Sequence, residues 1–129
     1  MKLEHVAINV PEPVQMADWY VEHCGMRIVV LVEGPPFTRF IADASGTTAI
    51  EIYRNEEAPI PDYFSQSPLV VHNAFAVENL DETKDRLTEA GATFVEEIET
   101  PDGSRLIMLR DPWGIPLQLV KRSAALAWY

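Results

Sequence analysis

Four polar residues occupy matching places in the two halves of the chain, and their types suit metal coordination. His5 and His72 are 67 residues apart, and Glu51 and Gln118 are separated by the same 67 residues. A single histidine in a strand is ordinarily a hydrogen-bonded core or rim residue, but unrelated residues have no reason to share an offset. Two imidazoles, a carboxylate and an amide oxygen suit zinc, nickel, cobalt, iron or manganese. We therefore predict that His5, Glu51, His72 and Gln118 bind one divalent metal ion.

Each of these residues interrupts a segment in which apolar side chains alternate. In "HVAINV", Val6, Ile8 and Val10 form an apolar stripe, and His5 points to the opposite side. Alternation with a period of two is typical of a half-buried strand. The segments "AIEIY", "VVHNAFAV" and "PLQLV" show the same pattern around the other three polar residues. If helices cover the apolar faces, the polar side chains share the opposite faces, which would curve around a cavity.

The elements that position these residues repeat in order. The first half reads as a strand, the helix "PEPVQMADWYVEHCG" ending at Gly25, and the strands "MRIVVLVE", "FTRFIAD" and "TTAIEIYR". The second half reads as the strand "LVVHNAFAV", the helix "NLDETKDRLTEAG" with Asn79 or Asp81 as N-cap, and the strands "ATFVEEIE", "SRLIMLRD" and "IPLQLVKR". Each half is thus β-α-β-β-β, and the fold class is α+β. The apolar side of the first helix is predicted to comprise Val14, Ala17, Trp19, Tyr20, Val21 and Cys24.

These halves belong to one domain of 129 residues. Its predicted divisions are a first module over about 1–55, a linker over 56–68, a second module over about 69–122 and a C-terminal tail over 123–129. The linker "NEEAPIPDYFSQSP" carries Ile60, Tyr63 and Phe64, which indicates that it packs on the protein. The tail is apolar with two aromatic residues and could pack on a partner subunit, on a helix or over the cleft.

Composition excludes several classes of partner. Ten Lys and Arg stand against twenty Asp and Glu, and the net charge of −10 argues against binding to nucleic acid. No run approaches the roughly 18 apolar residues of a membrane span, and no signal-peptide pattern opens the chain. Cys24 is the single cysteine, so an intrachain disulfide and a thiolate cluster are excluded. We expect a cytoplasmic protein that binds neither nucleic acid nor membrane.

Three segments carry a resemblance to a known family: "HVAINV", "HNAFAVENLDE" and "LRDPWGIPLQLV". From about Leu3 to Lys121 the chain resembles the vicinal oxygen chelate superfamily, which includes glyoxalases, bleomycin resistance proteins, methylmalonyl-CoA epimerase and extradiol dioxygenases. The resemblance implies two paired βαβββ modules that form a cup-shaped mixed sheet with the helices outside. It also implies metal ligands on the first and last strands of each module, and a homodimer that acts on a small molecule.

One position departs from the family. Glyoxalase-like and dioxygenase members usually carry glutamate in the last strand, where this chain has Gln118. Epimerase-like members resemble this ligand set, with the acid and the amide in opposite halves. The resemblance therefore favours a glyoxalase I (lactoylglutathione lyase)-like isomerase or lyase, or an epimerase. An extradiol-type dioxygenase and a metal-free, bleomycin-resistance-like sequestering protein remain alternatives.

In such an enzyme, Glu51 would have a second role besides metal binding. A divalent ion that chelates two neighbouring oxygens can stabilise an enediolate while a base removes the proton of the adjacent carbon. Glu51 is the only carboxylate of the four residues, so we predict that it is both metal ligand and catalytic base. Gln118 can offer an oxygen but cannot accept the proton. His23, at the end of the first helix, is interpreted as structural.

Overall fold

A computed structural model describes residues 1–124 of the chain. The chain divides into two compact units, Met1–Pro61 and Asp62–Tyr129. The five residues 125–129 of the predicted tail lie outside the described residues. Within residues 1–124, neither helix has the length and apolar character needed to cross a membrane.

The first unit has the predicted β-α-β-β-β order. Its elements are β1 (His5–Asn9), α1 (Pro13–Cys24), β2 (Arg27–Leu31), β3 (Arg39–Ala42) and β4 (Ala49–Tyr53). The strands form one sheet in the order β1-β4-β3-β2. β1 pairs with β4 in parallel, and the other pairs are antiparallel. The first strand is therefore hydrogen-bonded to the last, which brings two predicted ligand positions to neighbouring strands.

The second unit repeats this topology. Its elements are β5 (Asn73–Ala76), α2 (Leu80–Glu89), β6 (Thr93–Glu99), β7 (Arg105–Arg110) and β8 (Pro116–Lys121). The sheet order is β5-β8-β7-β6, again with a parallel pair between first and last strands. The predicted repeat and the α+β class are confirmed.

Helix α1 begins and ends at the residue types that sequence rules favour. Pro13 occupies the first helical position, where its missing N–H costs nothing. Gly25 closes the helix with φ 66° and donates its backbone N–H to the carbonyl of Tyr20. The predicted apolar side is partly wrong, because Met16 is buried while Val21 is exposed. In α2, Asn79 is the N-cap, and its side chain accepts the N–H of Glu82.

The two faces of the first sheet differ as the alternation predicts. Helix α1 packs against β2, β3 and β4, and Ile41 and Ile52 are completely buried. Glu51 lies on the opposite face, with Ala7 of β1 and Phe40 of β3 as its cross-strand partners. We call this surface the His5 face.

The apolar stripe predicted for β1 is only partly buried. Val10 is fully buried, but Val6 is 47% exposed. The reason is the position of β1 at the edge of its sheet, since α1 covers the other three strands.

Strand β5 is shorter than predicted. The sequence indicates a strand over 69–77, whereas the structure has Asn73–Ala76. The residues before it form a turn, in which the N–H of Val70 bonds to the carbonyl of Ser67. Ser67 also accepts the N–H of Leu69 through its hydroxyl. This local bonding competes with extension of the ladder, so His72 lies just before β5 instead of within it.

The segment "RDPWG" between β7 and β8 forms a tightly bonded turn. The Asp111 side chain is completely buried and accepts the N–H groups of Trp113 and Ile115, both at 2.9 Å. The Arg110 guanidinium donates to the carbonyls of Gly114 and Tyr63, at 2.9 Å and 2.7 Å. It also donates to the carbonyl of Gln66 at 2.5 Å. The hydrogen bonds of Arg110 therefore connect residues 63–66 to the turn between β7 and β8.

The two aromatic residues of the predicted linker differ in burial. Tyr63 is buried, whereas Phe64 is 59% exposed, with its ring directly over Gly114. A Cβ at Gly114 would stand 2.7 Å from the Phe64 ring and 2.9 Å from its backbone nitrogen. Gly114 also has φ +87°, which L side chains rarely adopt.

We predict that Gly114→Ala destabilises the protein more than Gly25→Ala. Both glycines have positive φ, but nothing lies within 4 Å of a Cβ at Gly25. The control should therefore cost about 1 kcal/mol of left-handed strain, and Gly114→Ala about 3 kcal/mol because an overlap is added. Urea unfolding of both variants measures the difference. Equal losses would contradict the packing of Phe64 on this turn.

Candidate functional site

Two of the four predicted ligands lie side by side in the first unit. His5 Nε2 is 3.4 Å from Glu51 Oε2. The contact follows from the parallel pairing of β1 with β4, in which Ala7 is the Cα partner of Glu51 and His5 stands two residues earlier on the same face. The side chains are 37% and 21% exposed, so both are reachable from solvent.

The separation of these two atoms suits a shared cation. Zinc binds imidazole nitrogen and carboxylate oxygen at about 2.0–2.2 Å, and two such ligands of a tetrahedral ion lie about 3.4 Å apart. The donor types fit a borderline-soft divalent ion. Across residues 1–124, however, no group of three or more His, Cys, Asp or Glu is arranged to hold a metal. His5 and Glu51 therefore supply two fitting donors, and further donors are required.

The second nitrogen of His5 is held by a carboxylate that the sequence analysis missed. Nδ1 of His5 hydrogen-bonds to Oε2 of Glu4. Because a carboxylate is an acceptor, this bond places a proton on Nδ1, and Nε2 is the nitrogen that faces Glu51. A carboxylate behind the histidine is the usual arrangement for a metal-ligating imidazole. Alternation assigns Glu4 to the other face, but Glu4 precedes β1, so alternation does not apply to it.

These carboxylates also change the protonation of His5. The hydrogen bond that His5 donates to Glu4 raises the pKa of His5 above 6.5, and burial opposes this effect. The negative charges of Glu4 and Glu51 raise the pKa further. The imidazolium form is consequently favoured when no cation occupies the space between His5 and Glu51.

An aromatic ring completes the surroundings of His5. Phe40, the cross-strand partner of Glu51, meets the His5 ring edge-on, with centroids 5.3 Å apart and planes at 76°. This T-shaped contact restricts rotation of the imidazole. Sequence reasoning did not identify Phe40, since the pairing of β3 with β4 had to be known first.

The second unit places its two predicted ligands at related positions. Gln118 in β8 has Ala74 and Met108 as cross-strand partners, just as Glu51 has Ala7 and Phe40. His72, ahead of β5, donates its Nδ1–H to the carbonyl of Pro68 at 3.0 Å. A carbonyl only accepts, so the neutral ring keeps its lone pair on Nε2.

Two further residues of the first unit that could ionise, His23 and Arg39, form structural contacts. His23 lies in the last turn of α1 and packs against Trp19, with ring centroids 5.4 Å apart. Arg39 is buried and donates to the carbonyls of Val32 and Thr38, at 2.6 Å and 3.1 Å. These contacts support the structural interpretation of His23.

Comparison with known proteins identifies relatives of this fold. The family model for the Glyoxalase/Bleomycin resistance protein/Dioxygenase superfamily matches residues 2–119. No curated protein matches the chain.

Several solved structures are similar over nearly their full length. TnmS3, an antibiotic binding protein from Streptomyces sp. CB03234, is 20% identical with a TM-score of 0.73, and the match covers 95% of this chain and 97% of that protein. A superfamily member from Sphaerobacter thermophilus is 21% identical with a TM-score of 0.73, covering 93% and 96%. A glyoxalase family protein from Enterococcus faecalis is 24% identical with a TM-score of 0.68, covering 93% and 97%. At these identities the likeness concerns the fold.

We predict that Glu4→Gln lowers the pKa of His5, because the hydrogen bond that His5 donates to the Glu4 carboxylate is the largest cause of the raised pKa. Glu51→Gln should lower the pKa by less, since Glu51 acts only through its charge. NMR titration of the histidine ring protons in metal-free protein measures both shifts. His72 serves as the internal control, and a His5 pKa unchanged in Glu4→Gln would contradict the assigned contact.

Proposed function

Because the chain belongs to the glyoxalase/bleomycin resistance protein/dioxygenase superfamily, we propose that it is a divalent-metal-dependent isomerase, lyase or epimerase. Its substrate is a small molecule with oxygens on neighbouring carbons. The ligands are His5, Glu51, His72 and Gln118, and the contact between His5 Nε2 and Glu51 Oε2 is the observation that supports this proposal best. A homodimer in the cytoplasm is part of the same proposal.

The duplicated topology supports the second pair of ligands. Glu51 lies on β4, between the parallel strand β1 and the antiparallel strand β3. Gln118 lies at the equivalent position on β8, between the parallel strand β5 and the antiparallel strand β7. His72 precedes Ala74 by two residues, as His5 precedes Ala7. The Nδ1–H bond from His72 to Pro68 leaves Nε2 as its ligating atom.

Glu51 is the residue best suited to move a proton. A bound divalent cation would act as a Lewis acid on the substrate oxygens. One carboxylate oxygen of Glu51 faces His5, and within residues 1–124 no hydrogen bond engages the other. That oxygen can accept the proton from the carbon beside the carbonyl group and return it to the same or the neighbouring carbon. Gln118 can orient the substrate but cannot take up the proton.

His5 contributes orientation rather than proton transfer. The Nδ1–H is already bonded to Glu4, and the ring is restrained by Phe40. A ring held on both sides presents Nε2 in one direction, which lowers the entropic cost of binding a cation beside Glu51.

A metal-free binding protein is the second candidate. The proximity of His5 and Glu51 supports it, because the raised pKa of His5 lets the two side chains form an ion pair. The similar fold of TnmS3, an antibiotic binding protein, agrees with it. In that case His5 and Glu51 would form an ion pair that contacts a bound ligand directly.

Metal analysis separates the two candidates. We predict one bound Zn²⁺, Ni²⁺, Co²⁺, Fe²⁺ or Mn²⁺ per chain, measured by elemental analysis and competitive chelation. Glu51→Gln and His5→Ala should each weaken metal affinity at least about tenfold. Glu33→Gln, at an exposed position in the same unit, is the matched control.

The ligands of the second unit are tested in the same way. His72→Ala and Gln118→Ala should also weaken metal binding. Unchanged affinity in both would reject the four-ligand proposal and leave a site confined to the first unit. Wild-type protein that binds no metal would favour the binding-protein candidate.

Proton transfer provides the test of Glu51. We predict that the metal-loaded protein converts methylglyoxal with glutathione, or exchanges a carbon-bound proton of another α-oxygenated substrate with deuterated water. Glu51→Gln should reduce the rate by about 10²–10⁴-fold. The double variant Glu51→Gln/Gln118→Glu moves the carboxylate to the other unit. Recovery of proton exchange in this variant would show that a carboxylate at either position can act as the base. Full activity of Glu51→Gln alone would rule out Glu51 as the base.

A further inference from the structure

We infer that a cavity of about 470 Å³ on the His5 face of the first unit binds the distal part of the substrate, and that this part is an aryl or branched acyl group ending in a carboxylate. The inference rests on the proposed function and names the substrate class for the same site. It depends on three observations: the position of the cavity, its apolar floor and the cations at its rim.

The cavity adjoins the His5–Glu51 pair. Ala49, which lines it, is the Cα partner of His5 in the parallel ladder. Phe40 lines it as well, and its ring contacts the His5 ring edge-on. A substrate whose oxygens lie at His5 and Glu51 would therefore pass beside Phe40 to reach this space.

The floor of the cavity exists because two residues are small. Ala42 and Ala49 are cross-strand partners in the first unit. At the related place in the second unit the partners are Arg110 and Pro116. The Arg110 guanidinium donates hydrogen bonds to the carbonyls of Tyr63, Gln66 and Gly114. At this register the second unit thus has a structural contact, whereas the first unit has two small residues that line the cavity with only 3% and 8% of their surface exposed.

The walls favour an apolar group of moderate size. Val30 and Phe40 stand beside the two alanines, and Val30 is 46% exposed, so the cavity opens to solvent on that side. Small-molecule sites in proteins typically have volumes of about 300–1,000 Å³. An apolar cavity of about 150 Å³ already accepts benzene, so this one has room for a ring and its substituent.

Two cations lie at the rim of this cavity. Lys2 lines it, and the Arg27 guanidinium lies against Gly46, which also lines it. Neither cation forms an ion pair within residues 1–124, although the chain carries twenty acidic residues. Glu4 is the acidic residue of the lining, and its carboxylate is bonded to His5. Unpaired cations beside an apolar floor complement a ligand with an apolar body and an anionic end.

NMR titration of the alanine methyl groups tests the inference without requiring metal. The probe is 3-phenylpropanoate, compared with propanoate, which lacks the ring, and with 3-phenylpropan-1-ol, which lacks the charge. We expect 3-phenylpropanoate to shift the methyl signals of Ala42 and Ala49 and to leave that of Ala76, in the second unit, unchanged. Propanoate should bind at least about tenfold more weakly, and the alcohol about two- to fivefold more weakly.

Variants assign the binding to this cavity. Ala42→Leu fills the floor and should abolish the shifts at Ala49, with Ala76→Leu as the matched control. If Ala42→Leu fails to fold, Val30→Ala at a half-exposed wall position should weaken binding of the probe. Arg27→Met should remove the preference for the acid over the alcohol.

The outcomes distinguish this inference from the proposed function. Absence of shifts at Ala42 and Ala49 in wild-type protein, or equal binding by Ala42→Leu, overturns the inference even if metal binds. Equal binding of the acid and the alcohol overturns the assignment of an anionic end. Saturable binding in a protein that takes up no metal supports the cavity while rejecting the metal-dependent reaction.

Discussion

The parallel pairing of the first and last strands in each unit is the constraint on which the site depends. In the first unit the register of β1 against β4 places His5 two residues from the partner of Glu51, on the same face. A shift by one residue would turn one of these side chains to the helix-covered face, because side chains alternate along a strand. The complete burial of Ile52 fixes Glu51 on the opposite face of β4, because neighbouring side chains alternate along a strand. The packing of α1 on β4 therefore keeps Glu51 on the same face as His5.

The electrostatic surroundings of His5 are unusual for an exposed strand residue. One nitrogen is bonded to Glu4 and the other faces Glu51, so the ring lies between two carboxylates. Such an arrangement favours a positive charge at this point, whether a proton or a metal cation. The cation would also be favoured by the overall charge of −10, although over distances beyond about 10 Å salt screens that contribution.

The two units have the same strand register but different residues at several equivalent positions. Met108 takes the place of Phe40, and the pair of Arg110 with Pro116 takes the place of two alanines. In the second unit Arg110 holds the "RDPWG" turn and the segment around Tyr63, whereas in the first unit the same place is a cavity. After duplication of the fold, one copy thus has a cavity where the other has structural contacts. This division explains why matched polar positions coexist with unmatched surroundings.

Periodicity and spacing in the sequence by themselves determined the two repeated units, their element order, the end of α1 at Gly25, the N-cap candidates of α2 and the four matched polar positions. These features depend on local rules of propensity, capping and alternation, which act over a few residues. The contacts of Glu4, Phe40 and Arg110, and the displacement of His72 from β5, depended on strand pairing and turn bonding that join distant parts of the chain. Only the tertiary structure decided these, because a side chain's partners are set by register and packing and not by its own sequence neighbours.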